Sequence, residues 1–294
     1  KPRIKASPVI EGGRSMAKNT DLGRILLVGA GKMGGALIQS WLEKGTRNPS
    51  DIVLVEPRVS RAKYFRDQYN LYTFETPEAI NAGLGDAIVL FAIKPQVMEE
   101  VVPLYKTLIQ PGQLVLSIAA GTPINFFERQ LGERVPVVRA MPNTPAAIGH
   151  GITVLCANDH VTDMQRADCK VLLDAVGETV WIDDETLMDA VTAISGSGPA
   201  YVFLLIEAMT EAGIDIGLPR DLSAQLAVST VSGAGILAKS ADEPPPTLRK
   251  NVTSPGGTTA AALDVLTAKG GLKSLLSEAI KAAKKRGEDL AKTG

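Results

Sequence analysis

RILLVGAGKMGGALIQSWLEKG, residues 24–45, is the stretch whose reading decides the fold. Ile25 to Val28 form a short apolar run that reads as a strand. Gly29, Gly31 and Gly34 follow as G-x-G-x-x-G, and Met33, Ala36, Leu37 and Trp41 then recur on one side of a helix. Strand, glycine turn and helix in that order are the context in which this motif holds a dinucleotide. Gly29 permits the tight turn, Gly31 lets the backbone approach a pyrophosphate, and Gly34 lets helix and strand pack closely. Free N–H groups at the helix start then face the diphosphate.

Reading onward, DIVLVEPR (51–58) is a second strand that ends in Glu56. An acid at that place hydrogen-bonds ribose hydroxyls and disfavours a 2′-phosphate, whereas an arginine accommodates one. Arg58 and Arg61 lie close by, so the two signals conflict and the cofactor reads as NADPH or NADH. DAIVLFAIKPQ (86–96), LVLSIAAG (114–121) and PVVRAMPNTP (136–145) are further strands. Their continuous apolar runs suit parallel strands covered on both faces. Helical segments at Val97 to Ile109 and Pro123 to Leu131 alternate with them, which gives an α/β fold with a doubly wound parallel sheet. MPNTPAAIGHG reads as a loop; its His150 has no nearby carboxylate to orient it as a base.

From Glu185 the pattern turns to helix after helix. AYVFLLIEAMTEAG (200–213) is apolar nearly all round, the signature of a helix buried on every side. A domain of this size has too little of its own to cover it, so we expect an all-α dimerisation domain and an obligate homodimer. Ser232-Gly233-Ala234-Gly235 allows close helix contact, and Leu272, Leu275, Leu276, Ala279, Ile280 and Ala283 give the last helix an apolar stripe. Between them, NVTSPGGTTAAALDVL (251–266) reads as a Ser254-Pro255-Gly256-Gly257 turn feeding a helix that Thr258 or Thr259 starts. One threonine suffices as a cap. The added glycines bare N–H groups at the positive end of a helix, where a carboxylate docks.

The expected division is a tail at 1–21, a dinucleotide-binding domain at 22–184 and a helical dimerisation and substrate domain at 185–294. The tail lacks the apolar core of a secretory signal. Lys plus Arg number 31 against 32 for Asp plus Glu, a net charge of −1, which argues against a nucleic-acid partner. No apolar run reads as long enough for a membrane span. Cys156 and Cys169 are too few for a disulfide framework and fit the cytoplasm; with His150 and His160 as the two histidines, no metal site is expected.

GAGKMG, AIKPQ, RAMPNTP, SGSGPAY and NVTSPGGTT occur in that order over about residues 24–290. In these motifs the chain resembles the pyrroline-5-carboxylate reductase family. The resemblance implies NAD(P)H-dependent reduction of the imine L-1-pyrroline-5-carboxylate to L-proline, the last step of proline biosynthesis. It also implies a cytoplasmic enzyme whose helical domain interlocks with a second subunit, the dimers building larger rings such as a homodecamer. By the same resemblance Gly29, Gly31, Lys32, Met33 and Gly34, with Glu56 and Arg58, hold the dinucleotide. Ala92, Ile93, Lys94 and Pro95 line the nicotinamide ribose beside Ala119 and Ala120. Ser254, Gly256, Gly257 and Thr258 bind the substrate carboxylate, and Thr259 is the catalytic residue, hydrogen-bonded to the ring nitrogen. Two departures stand out: many members carry an Asn near Thr76, and Glu56 is unusual in an NADPH-preferring member.

Two rival readings fit these residues less well. A β-hydroxyacid dehydrogenase needs a lysine on the helix that SGSGPAYVFLLIEAM would form, and none is there. A non-catalytic dinucleotide-binding regulator has no use for an intact SPGGTT turn.

Overall fold

A computed structural model of the chain describes residues 23–80 and 85–293, so the expected tail at 1–21 lies outside the described residues. Eight strands form one sheet: β1 (Ile25–Val28), β2 (Ile52–Val55), β3 (Tyr72–Phe74), β4 (Ile88–Phe91), β5 (Val115–Ser117), β6 (Val137–Met141), β7 (Gly151–Ala157) and β8 (Gly177–Trp181). Their order is β3-β2-β1-β4-β5-β6-β7-β8. Neighbours from β3 to β6 are parallel, with Val28 beside Val55 on one flank and Phe91 on the other. The expectation of a parallel sheet needs one amendment, because β7 runs antiparallel to β6 and β8 then runs parallel to β7. A short return through 144–150 leaves no room for a crossover helix, and only an antiparallel partner can be reached by so short a link.

Period-two alternation sorts the side chains of each strand between two faces. Ile25, Leu27, Ile52, Leu54 and Leu90 pack with Leu37, Ile38 and Trp41 of α1 (Lys32–Glu43) and with Phe65 of α2 (Val59–Tyr69). Leu26, Val28, Val89 and Phe91 pack on the other face with Met98 of α3 (Met98–Val101) and Phe127 of α4 (Ile124–Leu131). Cys169, Leu172 and Leu173 of α5 (Asp163–Asp174) extend the first face beneath β7. Both faces of the sheet are therefore covered, the arrangement its continuous apolar strands require. The helical reading of Val97 to Ile109 shortens to α3 and 3₁₀ turns, since Pro103 cannot donate an amide to a continuing helix.

After β8 the chain is helical. α6 (Met188–Val191) widens into a π-helical turn, Thr192–Gly196, and continues as α7 (Gly198–Asp215). Then come α8 (Arg220–Ser240), α9 (Pro245–Asn251), α10 (Thr258–Thr267) and α11 (Leu272–Thr293). α7 pairs with α8, α11 returns to α6 and the π-helical turn, and α10 packs on α11. Glu185–Asp215 is long and apolar enough, by length and composition, to cross a membrane, and 6% of its apolar 18-residue window is buried. That corrects the expectation that no stretch reaches such a length. The chain passes through Gly196, Gly198 and Pro199 in helical geometry, because proline is tolerated in a first helical turn.

Candidate active site

Three strand ends build one half of the site. Gly29 N–H bonds Val55 O (2.8 Å), Ala92 N–H bonds Val28 O (2.8 Å) and Ile118 N–H bonds Phe91 O (3.1 Å). Gly29, Ala92 and the Ala119-Ala120 pair thus stand side by side past the carboxyl ends of β1, β4 and β5, where open α/β sheets bind ligands. Gly29 sits at φ +90°, and a Cβ there would lie 2.9 Å from Ala92 O. At Gly34 a Cβ would come within 2.3 Å of Gly29 O, so helix and strand meet in that gap. A Cβ on Gly31 would meet nothing within 4 Å, so its open side admits a ligand backbone-close. α1 begins after Gly31 with no side-chain cap, leaving first-turn amides around Lys32 and Met33 for an anion. These observations fit a dinucleotide.

Glu56 is buried at the end of β2 and accepts from Ala30 N–H at 2.9 Å. Arg58 grips the same carboxylate with Nε (2.7 Å), Nη2 (2.9 Å) and its own amide (3.1 Å). Burial pushes the Glu56 carboxyl up, but the Arg58 side chain, the two backbone donors and the Arg58 charge together hold it below its ordinary value. Arg61 turns inward as well. Its Nε donates to Ala30 O (2.8 Å), and its guanidinium lies 4.7 Å from the Phe65 ring centre. Gly35 makes that possible, since a Cβ there would stand 2.6 Å from Arg61 Nη2. Sequence reading missed this role of Gly35; the doubled glycine in GKMGG was the available signal.

Pro95 and Ala120 line a cavity of about 360 Å³ together with Phe126, Asp189 and Thr192. Asp189 and Thr192 also escaped the sequence reading. They lie three apart, on one helical face, which is legible only if 185–197 is read as helix. Three hydroxyls around SGSGPAY are spent on local carbonyls: Thr192 to Met188 O, Ser195 to Val191 O and Tyr201 to Ala193 O, at 2.8, 3.0 and 3.0 Å. Beneath this segment Arg139, 8% exposed, pairs with Glu185 at 2.8 Å, and Glu185 also accepts Ile124 N–H.

The other half of the site stands apart. Gly257 N–H bonds Ser254 O (3.1 Å) in a turn with Gly256 at φ +69°. Gly257, not a threonine, occupies the cap position of α10, and no side chain caps that helix. Thr258 and Thr259 therefore lie within its first turn and leave its leading amides free of side-chain partners. Among the described residues, no hydrogen bond or ion pair joins 254–259 to the sheet half. None of residues 254–259 lines the cavity beside Pro95 and Ala120.

His150 is exposed and its amide bonds Pro145 O. Cys156 and Cys169 are free and buried, and burial pushes both thiols up, away from the reactive thiolate form. Among the described residues no cluster of three or more His, Cys, Asp or Glu side chains could hold a metal.

Comparison with known proteins adds a second line of observation. Residues 185–290 match the family model described as pyrroline-5-carboxylate reductase dimerisation, and residues 24–121 match NADP oxidoreductase coenzyme F420-dependent. A pyrroline-5-carboxylate reductase of Pseudomonas aeruginosa is 41% identical over 91% of this chain and 97% of its own length. The Arabidopsis thaliana enzyme of that name is 35% identical over 92% and 96%. Among solved structures, a pyrroline-5-carboxylate reductase from Coxiella burnetii is 33% identical with a TM-score of 0.85 over 92% of this chain and 99% of its own. One from Plasmodium falciparum, with NADP bound, is 30% identical with a TM-score of 0.79 over 91% and 98%.

Proposed function

The chain belongs to the pyrroline-5-carboxylate reductase family, and from that premise we propose how its residues divide the work. It is an NAD(P)H-dependent oxidoreductase that reduces the cyclic imine L-1-pyrroline-5-carboxylate to L-proline. When bound, the reduced nicotinamide supplies a hydride for the imine carbon. The protein supplies position and charge.

Gly29, Gly31, Lys32, Met33 and Gly34 cradle the diphosphate, and Glu56 with Arg58 borders the adenosine ribose. Ala92, Ile93, Lys94 and Pro95, with Ala119 and Ala120, border the nicotinamide end. Ser254, Gly256, Gly257 and Thr258 take the substrate carboxylate at the uncapped start of α10. Thr259 holds the ring nitrogen through its hydroxyl. A hydroxyl is too weak an acid to protonate an imine alone, so Thr259 orients the ring and passes on a proton drawn from water. Fixing imine and nicotinamide in contact accounts for much of the acceleration.

The single observation that carries this assignment is the α10 start: two glycines and no side-chain cap on its leading amides. Steady-state reduction of pyrroline-5-carboxylate by Thr258→Val and by wild type tests it. KM for the substrate is expected to rise severalfold with modest change in kcat; an unchanged KM removes the turn from substrate binding.

Because α10 packs on α11 while, among the described residues, no hydrogen bond joins its leading turn to the sheet half, we infer that the site is completed between two copies of the chain. Exposed Phe203 (63%), Leu204 (63%) and Ile236 (68%) on α7 and α8 supply the apolar surface for that partner. A Cβ on Gly233 or Gly235 would meet nothing within 4 Å in the protomer, which leaves a groove for another helix. The same partner, rather than a membrane, is the cover for Glu185–Asp215. Larger rings of dimers and a cytoplasmic location belong to the same proposal, the latter supported by two free thiols.

A further inference from the structure

We infer that the Glu56–Arg58 pair makes this chain take NADH in preference to NADPH. The inference rests on the dinucleotide reading of the glycine turn given above. It answers a conflict between one acid and two arginines near the end of β2, and it does so from where those three side chains point.

An arginine recognises a 2′-phosphate only if its guanidinium is free to turn to it. Both arginines are already engaged. Arg58 gives Glu56 a two-pronged grip, Nε to Oε1 and Nη2 to Oε2, and its backbone amide adds a third bond to Oε1. The fourth donor to that carboxylate, Ala30 N–H, belongs to the glycine turn itself. Each carboxylate oxygen thus accepts two donors, which fills its capacity. Arg58 itself is 61% exposed, but Glu56 is 2% exposed. Were Arg58 to swing away to a phosphate, a buried carboxylate would lose its charge partner, one of the costliest changes a site can undergo. Arg61 is bound to Ala30 O and stacked against Phe65, in a slot that exists because residue 35 has no side chain. Lys63, the next cation along α2, pairs with Asp67.

A 2′-phosphate brought here would meet a carboxylate whose countercharge is already spent. A 2′-hydroxyl carries no charge and meets no such opposition. Like-charge juxtaposition at an interface costs enough to separate the two nucleotides by at least about tenfold in affinity.

Isothermal titration of the full chain with NADH and with NADPH tests this without recourse to turnover. Wild type is expected to bind NADH at least about tenfold more tightly. Glu56→Ser releases Arg58 and removes the opposing charge, so NADPH affinity should rise about tenfold or more and the ratio close or invert. Arg58→Ala keeps the carboxylate, so NADH should remain the tighter ligand. Wild type that binds NADPH as tightly as NADH overturns the inference while leaving the dinucleotide site intact, and so does a ratio untouched by Glu56→Ser in a folded variant. Binding of neither nucleotide overturns both readings together.

Discussion

The sheet half and the helical half of this protein treat apolar side chains in opposite ways. In the sheet half Trp41, Phe65, Phe91 and Phe127 have essentially no exposed surface. Beyond Val191 only Ala193, Gly213, Ser223 and Ala227 are buried among the described side chains, while α7 shows Phe203 and Leu204 to solvent. Burying one such side chain stabilises by about 1.5–3 kcal/mol. The first half has completed its core and the second has not. A pocket can therefore be prebuilt on the sheet, whereas under the proposed function the α10 turn meets its target only in the assembly.

The hardest test of that contrast is a charge placed on the unfinished surface. Leu204→Glu should break the dimer and lower turnover by more than about a hundredfold, since burying an unpaired charge costs about 3–5 kcal/mol. Analytical ultracentrifugation beside the reductase assay checks it. A stable, active dimer would show that α7 faces solvent after all. On the finished side Gly34→Ala should cost about 3 kcal/mol in urea unfolding, because its Cβ has nowhere to go against Gly29 O. Thr259→Ala comes next, with kcat expected to fall roughly 10- to 100-fold and the unfolding curve unchanged. An unaltered kcat would remove Thr259 from the chemistry.

A subtler difference concerns pH. The Glu56 carboxyl is held below its ordinary 4.5 in the folded chain. Its contribution is thus complete above that value and fades as pH falls through the lower folded one. The stability gap between wild type and Glu56→Gln should shrink over that acid range in pH-dependent unfolding, and a gap that widens there would contradict the Arg58 grip. Smallest of all, Lys63→Ala breaks an exposed pair with Asp67 and should shift stability by less than about 0.5 kcal/mol.

The strands of the sheet centre were legible in the sequence because each is an unbroken apolar run covered on both sides. β3 was not, being three residues long with Tyr72 exposed, and β8 alternates half-buried and exposed residues at its edge. β7 went unread although GITVLCA is apolar, since the strand reading had stopped at Pro145 and the reversal after Met141 has no local mark. Both glycine motifs were legible as helix entrances. Spacing could not tell which arginine turns inward, for that depends on Phe65 and Gly35 meeting across two helices. Nor could it tell that none of residues 254–259 lines the cavity beside Pro95, since position in space leaves no trace in composition.

The wide turn at Thr192–Gly196 has one more consequence. A π turn amounts to one extra residue threaded into a helix, and one residue corresponds to about 100° of rotation about the axis. It works as a phase shifter: everything downstream on α7 is dialled round relative to the sheet while the helix stays unbroken. Removing a single residue there would turn a different stripe outward, so the geometry of assembly can be reset without touching the surface that does the assembling.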